Sequence, residues 1–531
     1  MNIRKNKKIY IFAVLALLAF ALAVRLILFG SVPGGMNQDG AMAAVDAKAL
    51  ADFGTDRLGM RYPMHLTAWG FGQMSALLSY LMAPWIKLFG LSPAVARIPS
   101  LIYSMLGLGG LFVFSKRTFG KKAALIILAI GAINPWHFMQ SRWAIDCNLF
   151  PHFLMLGMAF LAYSKCIKWA PLMSVLCFGL SMYCYGISIY TVPIFLLFAC
   201  VYLITKGEIS LKKALICALV YLLIAWPFIA CMVINFFGLS SIETPLFTIP
   251  YFPGTIRSND ILFFSEHPLW QLWINLKSVL SILAQIYNGY VCNEVRGFGT
   301  MYYISIPFMI AGLVYCAKRF KQSTGCALVF LMFLTALLNG LFTNNVNINR
   351  LNIVFYPLII FTGAGIYAFS CFMSRALKSK ATLRRAVSAA LAAAYIFSFG
   401  LFSYKYFTSY ADNISLEFME DFGQAMISVK DLDADEYCIT PDAQYKGFWY
   451  VSELLTLFYH DIDANDYQSA QFSEKYSFSN PRLTADETGQ YKISPSAVYV
   501  TTLDFEPVFD TDIFDISCFG RFITAVPKDI S

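Results

Sequence analysis

The stretch MNIRKNKKIYIFAVLALLAFALAVRLILF, residues 1–29, decides the fold class of this chain. Its first eight residues carry four Lys or Arg side chains, and an apolar run at 9–29 follows them. A helix needs about 20 apolar residues to cross the hydrocarbon layer of a membrane, so this run is long enough. The basic flank is typical of a signal peptide, but no small-residue cleavage site follows it. We therefore predict an uncleaved first transmembrane helix whose N-terminus is cytoplasmic.

The rest of the chain repeats this apolar pattern. Apolar residues make up 58% of the 531 residues and charged residues 14%, whereas a soluble domain has about 25% charged residues. This composition excludes a soluble enzyme, a fibre and a disordered chain. The sequence predicts an α-helical polytopic membrane protein with about 11 transmembrane helices. The ten further apolar runs are 98–115, 123–139, 149–164, 171–186, 188–205, 214–236, 300–317, 325–342, 351–371 and 386–404.

Basic residues are concentrated in alternate connections between these runs. With the N-terminus inside, the predicted cytoplasmic segments hold 21 of the 33 Lys and Arg of residues 1–405, and a single acid, Glu208. Loops rich in Lys and Arg stay in the cytoplasm. We predict a multi-pass protein of the cell membrane with an extracytoplasmic C-terminal domain. The basic residues behind the net charge of +8 lie between apolar runs, where membrane topology explains them, so we expect no nucleic-acid partner.

A change of charge divides the chain into two predicted domains. Residues 1–405 hold 33 basic and 10 acidic side chains, whereas residues 406–531 hold 7 and 22. We predict a transmembrane domain at 1–405, with outer loops at about 30–97 and 237–299, and an acidic extracytoplasmic α/β domain at 406–531. Periodicity in the second domain indicates helices at 415–429 and 447–459 and strands at 436–440, 497–502 and 521–526.

Both outer loops contain amphipathic stretches, at 74–89 and 269–287, which we predict to lie along the membrane surface. Long loops in a compact protein are usually functional, so we expect the chemistry on the outer face. Most of the 13 Cys lie in apolar runs as small hydrophobic side chains. For Cys438 and Cys518, which lie in the C-terminal domain, a disulfide is the alternative.

The first outer loop carries several candidate site residues. Asp39 lies in GGMNQDGAM (34–42), close to the start of a predicted helix at 41–51, where an N-terminal cap is the alternative role. The stretch RLGMRYPMHLTAWGFGQ (57–73) combines arginines suited to phosphate with aromatic rings suited to sugars. An interfacial helix with snorkelling arginines is its alternative. The candidates in and after this stretch are Arg61, Tyr62, His65, Trp69 and, at the start of the next span, Arg97.

Two later segments carry further candidates. NPWHFMQSRWAIDCN (134–148) brings His137, Arg142 and Asp146 together at the outer end of a span, and an Arg142–Asp146 ion pair is the alternative interpretation. FTNNVNINRLNIVFYP (342–357) places Arg350, next to Asn349, at a membrane face. Arginine there suits a phosphate headgroup, and a capped helix start with a snorkelling Arg is the alternative.

The order of these elements resembles the GT-C superfamily of glycosyltransferases. The resemblance is carried by an early outer Asp, by IKLFGLSPAVARIPS (86–100), by KRTFG (116–120), by the 134–146 segment and by NRLNIVFYPL (349–358). Within the superfamily, the chain resembles the bacterial family 39-type proteins, which are similar to protein O-mannosyltransferases and lipid A aminoarabinose transferases. The resemblance covers about 1–405.

The resemblance implies transfer of a sugar from a polyprenyl-phosphate carrier, with inversion, to an acceptor hydroxyl on the outer face. It implies that Asp39 is the general base, Asp146 a second catalytic acid, and Arg350 a ligand of the lipid phosphate. Arg61 matches a basic family position loosely, and Gly40 replaces the second acid of the family's common Asp-Glu pair. The expected partners are the lipid-linked donor, a glycan, lipid or protein acceptor, and membrane lipid.

No cofactor is expected, and a divalent metal is left open. The outer loops of residues 1–405 contain no Asp-x-Asp motif, and DIDAND (461–466) lacks the full spacing of a calcium loop. Three other functions remain as alternatives: a ligase or polymerase of lipid-linked glycans, a non-enzymatic lipid or solute transporter, and a catalytically silent scaffold.

Overall fold

A computed structural model of the chain describes residues 2–69, 72–253, 262, 265–286, 291–481, 484–485 and 491–530. Helices dominate these ranges. The α-helices described are α1 (Asn2–Leu26), α2 (Gln38–Phe53), α3 (Leu77–Phe89), α4 (Pro93–Phe119), α5 (Lys121–Ala132), α6 (Pro135–Gln140), α7 (Phe150–Leu161), α8 (Ala170–Ser181), α9 (Ser188–Thr205), α10 (Leu211–Phe237), α11 (Pro268–Leu283), α12 (Ile306–Lys318), α13 (Thr324–Phe342), α14 (Phe355–Ala376), α15 (Ala381–Tyr406), α16 (Ser409–Glu417), α17 (Glu420–Ser428), α18 (Trp449–Tyr459), α19 (Ala464–Gln468) and α20 (Ala470–Lys475).

The strands are short and lie between the helices. In the same ranges they are β1 (His65–Thr67), β2 (Gln73–Ser75), β3 (Ile242–Glu243), β4 (Thr248–Ile249), β5 (Tyr437–Ile439), β6 (Tyr476–Phe478), β7 (Thr484–Ala485), β8 (Tyr491–Lys492), β9 (Val498–Thr502), β10 (Phe514–Phe519) and β11 (Phe522–Pro527). Short 3₁₀ helices occur at Asp146–Asn148, Tyr303–Ser305, Asn352–Val354 and Leu503–Val508.

The eleven predicted apolar runs all contain helices. Among the described residues, seven helices are long and apolar enough to cross a membrane, namely α1, α4, α9, α10, α13, α14 and α15. The other four runs form α5, α7, α8 and α12, which have 12 or 13 residues each. The prediction of an α-helical polytopic membrane protein is therefore confirmed, and the number of crossings stays a prediction.

The run predicted at 123–139 forms two helices instead of one. The helix α5 ends at Ala132, and α6 begins at Pro135. A residue before proline avoids helical backbone angles, and Asn134 accordingly has an extended conformation with φ −67° and ψ 129°. The Asn134 side chain caps α6 by accepting a hydrogen bond from the His137 backbone N–H at 3.0 Å. This break directs the following loop, which carries Asp146.

One compact unit comprises Met1–Phe29, Pro99–Phe237 and Ile256–Tyr410. Its central helix is α14, in which Phe355–Ile366 are all buried. The helix α12 packs closely against α14 through Gly312 and Gly365. A Cβ at Gly312 would lie 1.8 Å from the Phe361 carbonyl oxygen, so only glycine permits this approach.

A second compact unit comprises Gly30–Ile98, Gly238–Thr255 and Ala411–Ser531. It contains a five-stranded mixed sheet in the order β10–β11–β9–β5–β6, in which β5 is parallel to β6 and β9 and the other pairs are antiparallel. The helix α2 packs against α3 and α18. The small C-terminal sheet domain is confirmed, and its predicted boundary at 405/406 stays a prediction.

The elements predicted in the C-terminal domain are found with one correction. The predicted helix at 415–429 is interrupted, because Met419 has a left-handed conformation with φ 52°, so α16 and α17 are separate helices. The helix at 447–459 and all three strands are confirmed as α18, β5, β9 and β11. The alternative of a disulfide is wrong, since both Cys438 and Cys518 are free thiols.

Candidate active site

Asp39 lies in the first turn of α2, where the helix dipole favours a negative charge. The start of a helix near Asp39 was predicted correctly. Its interpretation as the N-terminal cap is wrong, because Asn37 occupies the capping position. The Trp69 indole Nε1–H donates a hydrogen bond of 2.6 Å to Asp39 Oδ1. The half-buried carboxylate is therefore held in one orientation by a candidate that lies 30 residues further along the chain.

The segment before Asp39 is fixed by Arg97. This guanidinium is 1% exposed and donates hydrogen bonds to the carbonyl oxygens of Gly30, Pro33 and Gly35 at 3.0, 2.8 and 2.7 Å. Those contacts give Arg97 a positioning geometry, since they all go to backbone atoms.

The backbone of the same segment also contacts the C-terminal part of the chain. The Met36 N–H donates to the Phe418 carbonyl at 2.8 Å. Gly35 has a φ of +67°, and a Cβ there would lie 2.3 Å from the same carbonyl oxygen. Glycine is therefore required where the segment before α2 meets the end of α16.

The stretch 57–73 forms a β-hairpin in its second half, so its interpretation as an interfacial helix is wrong. The strands β1 and β2 pair antiparallel, with His65 opposite Ser75. His65 is buried and faces the ring of Phe252 at 6.3 Å between ring centroids. Arg61 and Tyr62 lie exposed before the hairpin. Arg57 is instead buried, which the sequence did not indicate.

The buried Arg57 forms an ion pair with Asp46 of α2. Its guanidinium donates to Asp46 Oδ2 at 2.7 Å and to the Thr67 carbonyl at 2.9 Å, and its backbone N–H donates to Asp46 Oδ1 at 3.0 Å. The pair connects α2, which carries Asp39, to the hairpin that leads to Trp69. These contacts explain how two distant segments hold the Asp39–Trp69 pair together.

The buried carboxyl of Asp56, close to the Asp46–Arg57 pair, should make the stability of the protein depend on pH. Burial, and then the charge of Asp46, raise the pKa of the Asp56 carboxyl to about 6. An acid with a raised pKa in the folded state stabilises the fold below its unfolded pKa, and this contribution is lost as the pH rises through the folded value. We expect Asp56→Asn to leave thermal stability at pH 4 unchanged and to raise it above pH 6, by at most about 2–3 kcal/mol. Thermal unfolding of both proteins between pH 4 and 8 measures this difference.

Asp52→Asn is the matched control, because Asp52 lies in the last turn of α2, four residues before Asp56, and forms a surface ion pair with Lys87. The Asp52→Asn protein should not show the gain in thermal stability above pH 6 that we expect of Asp56→Asn. Parallel pH profiles for the Asp56→Asn and unmodified proteins would contradict the raised pKa.

Asp146 begins the 3₁₀ helix between α6 and α7 and is 9% exposed. Its Oδ1 accepts a hydrogen bond of 2.6 Å from the Cys147 backbone N–H. Nearby, Asn148 donates to the carbonyl oxygens of Gln140 and Trp143 at 3.2 and 3.0 Å, which closes the loop on itself. The carboxylate is thus carried by a rigid turn in the first compact unit.

Arg350 lies on the connection between α13 and α14 and is half-buried. Its backbone N–H donates to Asn347 Oδ1 at 2.9 Å, and its guanidinium donates to the Asn344 carbonyl. Its own carbonyl accepts from Asn339 Nδ2 at 2.7 Å. Asn347 therefore caps this turn, as one alternative predicted, and the guanidinium is held close to the same turn.

The Asp146 and Arg350 segments are joined by Asn352. The Asn352 Nδ2–H donates a 2.6 Å hydrogen bond to the carbonyl of Cys147, the residue after Asp146. Three buried oxygens near this junction, Gln140 Oε1, Asn349 Oδ1 and Asn352 Oδ1, have no hydrogen-bond partner within the described ranges. Buried polar atoms of this kind are costly unless a ligand or water satisfies them.

His137 and Arg142 belong to a different, fully buried network. Arg142 donates to the carbonyls of Arg25 and Leu28 at the end of α1. Arg25 donates to His137 Nδ1 at 3.0 Å, so Nε2 carries the proton and donates to the Tyr356 hydroxyl at 3.1 Å. The network joins α1, α6 and α14.

The candidates thus fall into two groups. Asp39, Arg61, Tyr62, His65, Trp69 and Arg97 belong to the second compact unit, whereas His137, Arg142, Asp146, Asn349 and Arg350 belong to the first. Among the residues the structure describes, no three His, Cys, Asp or Glu are grouped to hold a metal ion.

No protein-family model matches the chain, and no curated protein matches it in sequence. Solved structures do match. ArnT from Cupriavidus metallidurans in the apo state aligns with a TM-score of 0.55 at 12% identity, over 96% of this chain and 97% of that chain. ArnT bound to undecaprenyl phosphate aligns with the same coverage and identity at a TM-score of 0.54. ArnT is a lipid A aminoarabinose transferase of the GT-C superfamily.

This chain has the GT-C fold.

A second GT-C protein supports the same conclusion. The archaeal oligosaccharyltransferase AglB from Archaeoglobus fulgidus, in complex with an inhibitory peptide and a dolichol-phosphate, aligns at a TM-score of 0.54 and 14% identity. The alignment covers 85% of this chain and 64% of AglB. The GT-C resemblance predicted from the order of short motifs is therefore confirmed as a likeness of fold.

Several buried polar residues close to the Asp146 segment were not predicted as candidates. Gln140 donates to Asn293 Oδ1 at 3.1 Å, and Glu294 beside it is 3% exposed. Glu294 could have been proposed from the sequence, because it is one of the few acids in the predicted outer loops. The hydrogen bond of Asn352 could not, since its partner Cys147 lies 205 residues away.

Proposed function

We propose that this protein is a membrane glycosyltransferase that transfers a sugar from a polyprenyl-phosphate carrier to an acceptor hydroxyl on the outer face of the membrane. The GT-C fold supports this proposal, because ArnT with this fold has been solved with undecaprenyl phosphate and AglB with dolichol-phosphate. The observation that carries it in this chain is the Asn352 bond, which joins the segment of Arg350 to that of Asp146.

The donor site in this proposal is the junction of those two segments. Arg350 supplies a planar, permanently charged fork suited to the lipid phosphate. The buried side-chain oxygens of Gln140, Asn349 and Asn352 accept hydrogen bonds from sugar hydroxyls. Asp146 accepts a hydrogen bond from a further sugar hydroxyl or stabilises positive charge that develops on the sugar ring.

The transfer step is a single displacement. Asp39 takes the proton of the acceptor hydroxyl, while that oxygen attacks the anomeric carbon from the face opposite the phosphate. The bond between the anomeric carbon and the phosphate oxygen breaks, and its electron pair leaves with the polyprenyl phosphate. Arg350 neutralises the phosphate charge as it develops, and the configuration of the sugar is inverted.

The transfer reaction can be tested with a deletion strain. Lipid extracted from cells that lack this protein should contain an accumulated polyprenyl-phosphate sugar. Purified protein in lipid nanodiscs should convert this lipid to free polyprenyl phosphate when native acceptor membranes are added, with the label of the sugar moving to the acceptor. Movement of intact lipid across the bilayer without cleavage would instead support a transporter.

A ligase or polymerase of lipid-linked glycans is the second candidate, favoured by the likeness to the oligosaccharyltransferase AglB. The two candidates differ in the donor. A ligase would move a preassembled glycan, whereas the first candidate moves a single sugar, so the mass added to the acceptor separates them.

The proposed orientation places residue 380 in the cytoplasm and residue 450 outside the cell. A membrane-impermeant thiol reagent should label Tyr450→Cys in intact cells and label Lys380→Cys only after the membrane is opened. The exposed thiols Cys166 and Cys518 are first replaced by Ser so that they do not contribute. Labelling of position 380 in intact cells would overturn the orientation.

A further inference from the structure

An open cleft of about 450 Å³ lies within the second compact unit. Its walls come from residues of the 57–69 segment and Gly72, from residues 251–253 and from α18 with the neighbouring Tyr467. A volume of this size is typical of sites for small organic ligands.

The lining of the cleft combines aromatic rings with a carboxylate. Trp69, Tyr251, Phe252, Tyr450 and Tyr467 supply the rings, and Glu453 supplies the carboxylate. The Tyr467 hydroxyl donates a 3.0 Å hydrogen bond to Glu453 Oε1, which fixes the carboxylate at the wall. Tyr450 is 38% exposed, so its ring is accessible to a ligand.

The cleft and the proposed base share one side chain. The Trp69 indole lines the cleft, and its Nε1–H donates to Asp39 Oδ1 at 2.6 Å. A molecule bound in the cleft therefore contacts the residue that orients Asp39. Since Asp39 takes the proton of the acceptor in the proposed reaction, the cleft lies where part of an acceptor would bind.

We infer that this cleft binds a saccharide portion of the acceptor, with α18 of the C-terminal segment forming one wall. The inference rests on the proposed function and adds the chemical class of the acceptor. Sugar rings present apolar C–H faces, which pack on aromatic rings, and hydroxyls, which hydrogen-bond to carboxylate and phenol groups.

The lining fits a saccharide better than the other acceptor classes. A lipid chain gains nothing from Glu453 or the tyrosine hydroxyls, and burying them against hydrocarbon would be unfavourable. An extended peptide usually pairs its backbone with a strand edge. The cleft offers instead side-chain rings on several walls and a fixed carboxylate.

Binding of the purified full-length protein in nanodiscs to a glycan array tests the inference without any donor. We expect the unmodified protein to bind a subset of the immobilised saccharides. Tyr450→Ala and Glu453→Gln should each reduce that signal at least fivefold. Tyr445→Ala is the control, because Tyr445 is 45% exposed in the same unit and does not line the cleft.

The outcomes separate the cleft from the reaction. Loss of glycan binding in the Tyr450→Ala and Glu453→Gln proteins, with thermal unfolding unchanged and binding kept in Tyr445→Ala, supports the saccharide site, whether or not transfer is observed. Absence of glycan binding by the unmodified protein, binding that ignores both substitutions, or binding only to a parallel peptide array or to lipid vesicles overturns it. Failure of donor cleavage with intact glycan binding counts against the proposed function alone.

Discussion

Replacement of Asp39 by Asn is expected to lower the rate of sugar transfer by about 10²–10⁴-fold, the usual loss when a general base is removed. The amide keeps the size of the side chain and can still accept the Trp69 hydrogen bond, but it cannot take a proton. The rate of donor cleavage in nanodiscs, at saturating donor and acceptor, measures the effect. Affinity for the polyprenyl-phosphate donor and thermal stability should remain close to those of the unmodified protein.

Asp52→Asn serves as the matched control for this experiment. It makes the same chemical change on the same helix, at a surface residue paired with Lys87. Near-normal transfer by Asp39→Asn would remove Asp39 from the role of base. Equal losses in both variants would point instead to a general effect of charge on α2.

Arg350→Ala is expected to weaken donor binding on the order of 100-fold, because a charged hydrogen bond to phosphate in a partly dry site is lost. Arg350→Lys should be intermediate, since Lys keeps the charge and loses the planar fork. If Arg350 only anchors the helix end at the lipid surface, Arg350→Lys should keep normal donor affinity and stability. Arg350→Ala should then lower thermal stability without a specific loss of donor affinity. Donor affinity and thermal unfolding of both variants distinguish the two roles.

Arg319 offers a control at another helix end. It lies directly after α12 and contacts the Tyr315 ring at 4.6 Å, far from the donor site in the proposed topology. Arg319→Ala should leave donor affinity unchanged. A stably folded Arg350→Ala protein with unaltered donor affinity would exclude Arg350 from the phosphate site.

The helices of this fold could be predicted from the sequence because lipid requires long uninterrupted apolar runs. Where the structure differs from the predicted elements, a single residue interrupts the helix. Pro135 divides the predicted apolar run 123–139, and the left-handed backbone of Met419 divides the predicted helix 415–429. Hydropathy and periodicity average over such single residues, so each predicted run contains a helix but the breaks within a predicted element could not be foreseen.

The surroundings of a candidate residue could be predicted only where they depend on neighbouring residues. The position of Asp39 near a helix start could be predicted, because the helical pattern at 41–51 is visible in the sequence. The Asp39–Trp69 bond, the Asp46–Arg57 ion pair and the Asn352–Cys147 bond depend on chain folding over 30, 11 and 205 residues. Arg97 had the features of a substrate ligand, and only its three carbonyl partners reveal a positioning geometry.

The hydrogen bond from Met36 to Phe418 has a consequence for biogenesis. The ribosome synthesises the segment of Asp39 early and the residues of α16 only after every predicted span has been made. A nascent chain therefore contains Asp39 before it contains the backbone carbonyl that accepts the Met36 hydrogen bond. We expect the segment before α2 to take its final conformation only after the residues that follow α16 have been synthesised.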